Sequence, residues 1–159
     1  MRKQIIPQSS QESSNPEPNW FDLGPLAQVE VTSEEAANPI ESALIPGTGV
    51  GWRAADSGEQ AIHLLFDEPQ RIRRIHLLFD ELMGGARTQE FVLSWSPGGE
   101  QSYREIVRQQ YNFNPAGGVT SEVEDYVVDL DNVAALELVI IPDISGGHAC
   151  ASLVQLRLA

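Results

Sequence analysis

From about Leu26 to Leu158 the chain reads as one strand after another, with no convincing helix. Short runs rich in Val, Ile, Leu and Phe occupy Gln60–Asp67, Arg71–Asp80, Thr88–Ser96, Ala134–Asp143 and Cys150–Leu158, and Gly, Pro and Asp break them apart. That spacing is what an all-β sandwich or barrel requires. Side chains alternate across a strand, so Ile62, Leu64 and Phe66 share one face of the first of two neighbouring runs. Ile75, Leu77 and Phe79 share one face of the second. Glu68-Pro69-Gln70 joins the two, which predicts a hairpin turning at Pro69 with His63 opposite His76 on its outer face. A cross-strand His pair could hold a metal, but no third ligand is evident, and two polar side chains on a solvated face is the competing account.

The other expected strands are Leu26–Thr32, Thr88–Trp95, Tyr103–Gln110 and Glu122–Leu130, the last with Val123, Tyr126 and Val128 as its apolar members. A final hairpin is expected from Leu136–Ile141 to Ala149–Leu158. Asn38-Pro39 through Leu44 predicts a single helical turn, with Asn38 as N-cap and Pro39 where its missing N–H costs nothing. Long loops are expected at Pro46–Gly51 and Tyr111–Gly118, a glycine-containing loop at Leu82–Ala86, and a turn at Pro97-Gly98-Gly99. The sum is an all-β, eight-stranded antiparallel sandwich, a fold class that carries its function on loops.

The first residues differ. Gln8 to Asn19 holds almost nothing apolar and cannot offset its own ordering entropy. Residues 1–22 are therefore expected to be a flexible tail, and residues 23–159 a single domain. Trp20 and Phe21 would tuck against the sandwich edge and anchor the tail, or else form an aromatic ligand platform.

Charge narrows the partners. Asp and Glu number 23 against 10 Lys and Arg in 159 residues, a formal charge of −13. Such a surface repels phosphate backbones, so no nucleic-acid partner is expected. Arg71, Arg73 and Arg74, the densest basic run, read as the solvent face of a hairpin. The one cysteine, Cys150, excludes an intrachain disulfide and reads as a small core residue. Only Ile5 and Ile6 follow Arg2 and Lys3 before polar residues resume, too short for a secretory signal, and no run approaches a membrane span. A cytoplasmic location is the resulting expectation.

Catalytic motifs are missing. No nucleophile elbow, phosphate-cradling loop, zinc-protease motif or cysteine cluster occurs. Ser145-Gly146-Gly147-His148 sets Ser near His inside one tight turn, without an orienting acid. Glu122 and Glu124 would share a strand face, but paired carboxylates need a cleft to hydrolyse anything. No enzyme activity is expected.

Several segments, in order, resemble the discoidin-like, galactose-binding-like jelly roll, the coagulation factor 5/8 type C fold. Asn38-Pro39-Ile40-Glu41-Ser42-Ala43-Leu44 resembles that fold's turn after strand one, and Trp52 its tryptophan a few residues on. Glu59 to Leu64, the pair Ile72 and Ile75, and Phe91-Val92-Leu93-Ser94-Trp95-Ser96 with Gly98-Gly99 and Tyr103 resemble its next segments. Ala151 to Leu156 resembles its closing strand. The resemblance implies a non-catalytic binding domain, of the kind found in bacterial carbohydrate-binding modules. It also implies a structural calcium ion in many members. Here Ile45-Pro46-Gly47 stands where the family has Asp-Gly, and Gln155 where it has Glu. Losing two carboxylates disfavours calcium, so no cofactor is expected.

Sugar-binding members place a cation or His beside the loop tryptophan, and Arg with Asn before the Phe-containing strand. Arg53 beside Trp52 and Arg87 match, while Met83-Gly84-Gly85-Ala86 leaves no Asn. Arg53, Arg87, Tyr111 and His148 are thus the candidate ligand contacts. Arg offers a fork of donors to hydroxyls, and Tyr a flat face for a pyranose. Each also has a structural reading: Trp52 as core, Arg87 paired with Glu90 or a neighbouring acid, Tyr111 and Phe113 capping one end. The expected partner is a saccharide. The alternative is a protein, bound by an intracellular interaction domain of the same fold through Tyr111–Gly118 or an exposed sheet face. Homo-oligomerisation would add avidity in either case.

Overall fold

The computed structural model describes residues 1–4, 18–81, 85–98 and 102–159. Most of the expected polar tail, Leu82-Met83-Gly84 of the expected loop, and Gly99 of the expected turn lie outside the described residues. Two short helices, α1 (Leu23–Leu26) and α2 (Glu41–Leu44), accompany strands β1 (Ala27–Val31), β2 (Trp52–Ser57), β3 (Gln60–Asp80), β4 (Arg87–Pro97), β5 (Arg104–Phe113), β6 (Ser121–Ile141), β7 (Cys150–Leu153) and β8 (Gln155–Leu158). No helix among the described residues is long and apolar enough to cross a membrane.

The 21-residue strands β3 and β6 organise the molecule. They run antiparallel along their whole length, and both bend at the same place. Before the bend, the first half of β3 pairs with β1 and with the second half of β6, which continues into β4 and β5. Beyond it, the second half of β3 lies between β8 and the first half of β6. One pair of strands therefore contributes to both layers of an antiparallel β-sandwich. Phe79 of one layer stacks on Phe91 of the other, with ring centroids 5.4 Å apart. The strands β2 and β7 form a separate two-stranded ribbon.

The expected hairpin at Pro69 is not formed; β3 passes straight through it. Three register shifts between Leu65 and Arg74 absorb the bend, and Pro69 sits where the ladder is already interrupted. A proline costs no hydrogen bond at a bulge. Those shifts also keep apolar side chains inward. Ile62, Leu64 and Phe66 face the core before the bend, and Ile75, Leu77 and Phe79 after it, on opposite parity. Opposite the bend, Asn132 of β6 takes φ 58°, a left-handed conformation Asn tolerates better than most residues, and its carbonyl accepts from Gly98 N–H at 2.9 Å. His63 and His76 consequently lie far apart on one strand. His63 bonds Glu137 at 2.8 Å and His76 bonds Asp125 at 2.7 Å, so the cross-strand His pair does not exist.

The same bend unites the expected strands Glu122–Leu130 and Leu136–Ile141 into β6. The final hairpin is also replaced: β7 pairs with β2, and β8 pairs with β3. The strand β2 was hidden because its run, Trp-Arg-Ala-Ala-Asp-Ser, is neither long nor strongly apolar. The helical turn begins at Glu41 rather than behind an Asn38 cap. Asn38 is held in a bridge with Glu35, and the Glu34 carboxylate accepts from Ile40 N–H at 2.8 Å. Phe21 packs on the core and donates its N–H to Leu158 O at 2.7 Å, which anchors the start of the domain.

Trp52 is fully buried, and its indole N–H donates to Ser33 O at 3.0 Å. Gly51 immediately before it takes φ 117°, and a Cβ there would lie 2.7 Å from Leu153 O. Both faults strike the β2–β7 ribbon. Gly51→Ala is expected to cost about 1–3 kcal/mol of stability, visible as a lowered urea midpoint with an unchanged slope.

Candidate functional site

At the end of the sandwich where β3 runs out and β4 begins lies an open hollow of about 390 Å³. Arg53 of β2, Glu81 after β3, Arg87 opening β4, Asp143 after β6, and His148 with Cys150 at the start of β7 line it. Three of the four sequence candidates, Arg53, Arg87 and His148, are thus brought together from segments far apart in the chain. Tyr111 is not among them. Its hydroxyl donates to Ser121 O at 2.6 Å, and its ring meets Phe113 edge-on at 5.0 Å.

The lining residues have different freedom. Arg87 is 8% exposed and Glu81 7%, and they form an ion pair at 2.6 Å. The Arg87 guanidinium also donates to Pro142 O and lies over the Phe113 ring at 5.0 Å. Glu81 N–H donates to Thr120 O at 2.7 Å. The pair therefore ties the ends of β3, β4 and β6 into one rigid wall. The expected alternative partner Glu90 is engaged with Arg108 instead. Arg53 is 40% exposed and only loosely paired with Glu35, at 3.7 Å. His148 makes no hydrogen bond within the described residues.

Asp143 was not singled out from sequence, yet the signal was local. In Pro142-Asp143-Ile144-Ser145 the Asp143 Oδ1 accepts from Ser145 N–H at 3.0 Å and from Ser145 Oγ at 2.7 Å. Those two bonds hold its carboxyl below the usual range, so it is ionised at neutral pH, with Oδ2 left free to accept. Cys150 is half-buried at the rim rather than a core residue, because β7 turns it toward the hollow while Ala151 and Leu153 face inward. The hollow thus gathers the Arg53 and His148 side chains and the Asp143 carboxylate beside the fixed Glu81–Arg87 wall. That combination suits a ligand rich in hydroxyl groups, each of which donates and accepts.

The calcium ion that the family resemblance implies does not fit this chain. Thr48 Oγ1 donates to Glu41 O at 3.0 Å and to Ile45 O at 2.6 Å, and Ser42 Oγ donates to Thr48 O at 3.4 Å. These three carbonyls already accept from hydroxyls, and Gln155 supplies no charge where the family has Glu. Among the described residues, no three His, Cys, Asp or Glu side chains come together to hold a metal. The Glu122–Glu124 pair does share a strand face, but Glu122 is sealed between the layers, out of reach of a substrate.

Solved structures share this arrangement of strands. A family 32 carbohydrate-binding module from a Clostridium perfringens family 31 glycoside hydrolase superposes with a TM-score of 0.64 at 18% identity, over 87% of this chain and 93% of that one. The family 32 module of C. perfringens NanJ in complex with galactose gives 0.60 at 16% identity, over 83% and 92%. The chain has the discoidin-like, galactose-binding-like fold. Reduced XRCC1 bound to the DNA pol beta catalytic domain shares it, with a TM-score of 0.58 at 18% identity, over 84% of this chain and 95% of that one. No protein-family model and no curated protein sequence matches the chain.

Proposed function

We propose that this chain is a non-catalytic carbohydrate-binding module that holds a sugar in the hollow between Arg53, Asp143 and His148. The observation that carries the proposal is the convergence of Arg53, Arg87 and His148 on one concavity at the loop end of the sandwich. The shared fold with a galactose-bound module supports it. In this reading Arg53 and His148 donate to ring hydroxyls, the free oxygen of Asp143 accepts, and the Glu81–Arg87 pair holds the wall in place. Among the described residues no aromatic ring lines the hollow, so polar contacts dominate and affinity is modest. Titration calorimetry with galactose and a panel of simple saccharides tests it. Arg53→Ala and Asp143→Asn are each expected to weaken a detected sugar by about tenfold or more, since each leaves a hydroxyl unpaired. A glycan panel with no binder, or one whose binding survives both substitutions, removes the proposal.

A second reading, a protein-docking domain, is supported by the outer face of β6, where Val127 is 81% and Val123 56% exposed. Exposed apolar side chains in register on one strand face are a common mark of an interface. A protein partner whose capture is unaffected by saccharide but lost in Val127→Lys would favour it.

A further inference from the structure

A second concavity lies away from the loop end, on the outer face of the β8–β3–β6 layer. It has a volume of about 600 Å³, and Trp20, Arg74, His76, Asp125, Gln155 and Arg157 carry its chemistry. Strand register explains the grouping. His76 is paired with Arg157 on one side and Asp125 on the other, and Arg74 follows two residues away on the same face. Trp20 closes one side, with its ring 6.1 Å from that of His76.

The two arginines are unusual for so acidic a chain. Arg157 is 8% exposed, yet no carboxylate among the described residues pairs with it. One of its terminal nitrogens, Nη1, donates to Ala43 O at 2.8 Å and Leu156 O at 3.0 Å. Its Nε and Nη2 make no hydrogen bond, and neither is sealed, because the only buried, unpartnered side-chain polar atom among the described residues is Glu122 Oε2. Those N–H groups therefore keep access to solvent, on a residue that lines the cleft. The Arg74 side chain has no hydrogen bond or ion pair within the described residues. The carboxylate of Asp125 is taken by His76 at 2.7 Å. A nearly buried guanidinium without a counter-ion is costly to keep, and an anion is what relieves that cost.

We propose that this cleft binds a small ring-bearing organic anion, with the carboxylate or sulfate group on Arg74 and Arg157 and the ring against Trp20. Arginine presents a planar fork that matches a carboxylate or sulfate with two parallel hydrogen bonds. An indole beside the fork supplies a flat apolar wall. The site is independent of the loop-end hollow and shares no lining residue with it.

Sodium glucuronate, inorganic sulfate and uncharged glucose serve as probes in titration calorimetry on the full chain. Glucuronate is expected to bind, glucose to bind at least tenfold more weakly, and sulfate to compete with glucuronate. Arg157 also holds the Ala43 carbonyl, so its removal could unfold the domain; Arg74→Met and Trp20→Ala are the informative variants. Arg74→Met is expected to weaken glucuronate by about tenfold, and Trp20→Ala to weaken glucuronate but not sulfate. Arg108→Met, on a distant strand, is expected to change neither. Equal affinity for glucuronate and glucose, or glucuronate binding unchanged by Arg74→Met, overturns the proposal. Glucuronate binding lost in Arg53→Ala but kept in Arg74→Met overturns it too, while leaving the loop-end reading in place.

Discussion

Arg87→Met is expected to destabilise the domain by about 3–5 kcal/mol, and Glu81→Leu by a similar amount. Each removes one member of an ion pair whose side chains are only 8% and 7% exposed, and leaves the other as an uncompensated charge in a dry wall. Arg87→Met also strips a donor from Pro142 O and a cation from the face of Phe113. The double variant Glu81→Leu/Arg87→Met carries no orphaned charge, so it should recover most of the loss. Urea unfolding of the four proteins measures this directly. A double variant as unstable as the sum of the singles would show that the pair's importance lies in packing rather than in mutual neutralisation. The same set separates the two roles considered for Arg87. If it is scaffold, the recovered double variant binds saccharide like the parent; if its guanidinium contacts the ligand, stability returns without binding.

The comparison of sequence with structure turns on where period-two alternation is interrupted. The core faces of β3 were legible, because Ile62, Leu64, Phe66, Ile75, Leu77 and Phe79 alternate cleanly and are all buried. The connection between the halves was not, because proline marks turns and bulges alike. Only the long-range partner distinguishes them. Around Pro69 that partner is the stretch of β6 beside the left-handed Asn132, more than sixty residues away. The site was legible to the same degree. Arg53 and Arg87 were named through the family resemblance and His148 from its place beside a loop, but Glu81 was not, since its partner lies across a loop that no spacing rule spans. Tyr111 was drawn in by its loop-edge position, yet its hydroxyl is spent on the backbone of Ser121. The arginine-lined cleft was not anticipated at all. Arg74 read as solvent face, and Arg157 gave no signal, because its burial depends on α2 and on Trp20 folding back over β8.

The interior holds one feature that runs against the rest of the core and sets the pH response of the fold. Glu122 is 1% exposed between the two layers, where its Oε1 accepts from Gln89 at 3.2 Å and its Oε2 has no partner. Burial, followed by the neighbouring Glu124 carboxyl, pushes its pKa up to about 8. The same burial, with the same carboxylate beside it, raises the Tyr126 hydroxyl. In the unfolded chain Glu122 ionises near the ordinary carboxyl value of 4.5. Between those two pKa values the folded state holds a proton that the unfolded state has released, so stability is fully present below about pH 4.5 and declines as pH rises toward 8. The slope is about 1.4 kcal/mol per pH unit for one such group, and a few kcal/mol accumulate across the window. Glu122→Gln keeps the shape and a donor while removing the titration. The stability difference between variant and parent is therefore expected to be near zero or unfavourable at pH 4.5. It should then grow steadily in favour of the variant up to pH 8 and level off above. Measuring the difference cancels the repulsion that the remaining acidic groups impose on both proteins. A difference that stays flat from pH 5 to 9 would mean that Glu122 is ionised in the folded state throughout, and that the space between the layers is far wetter than its exposure indicates.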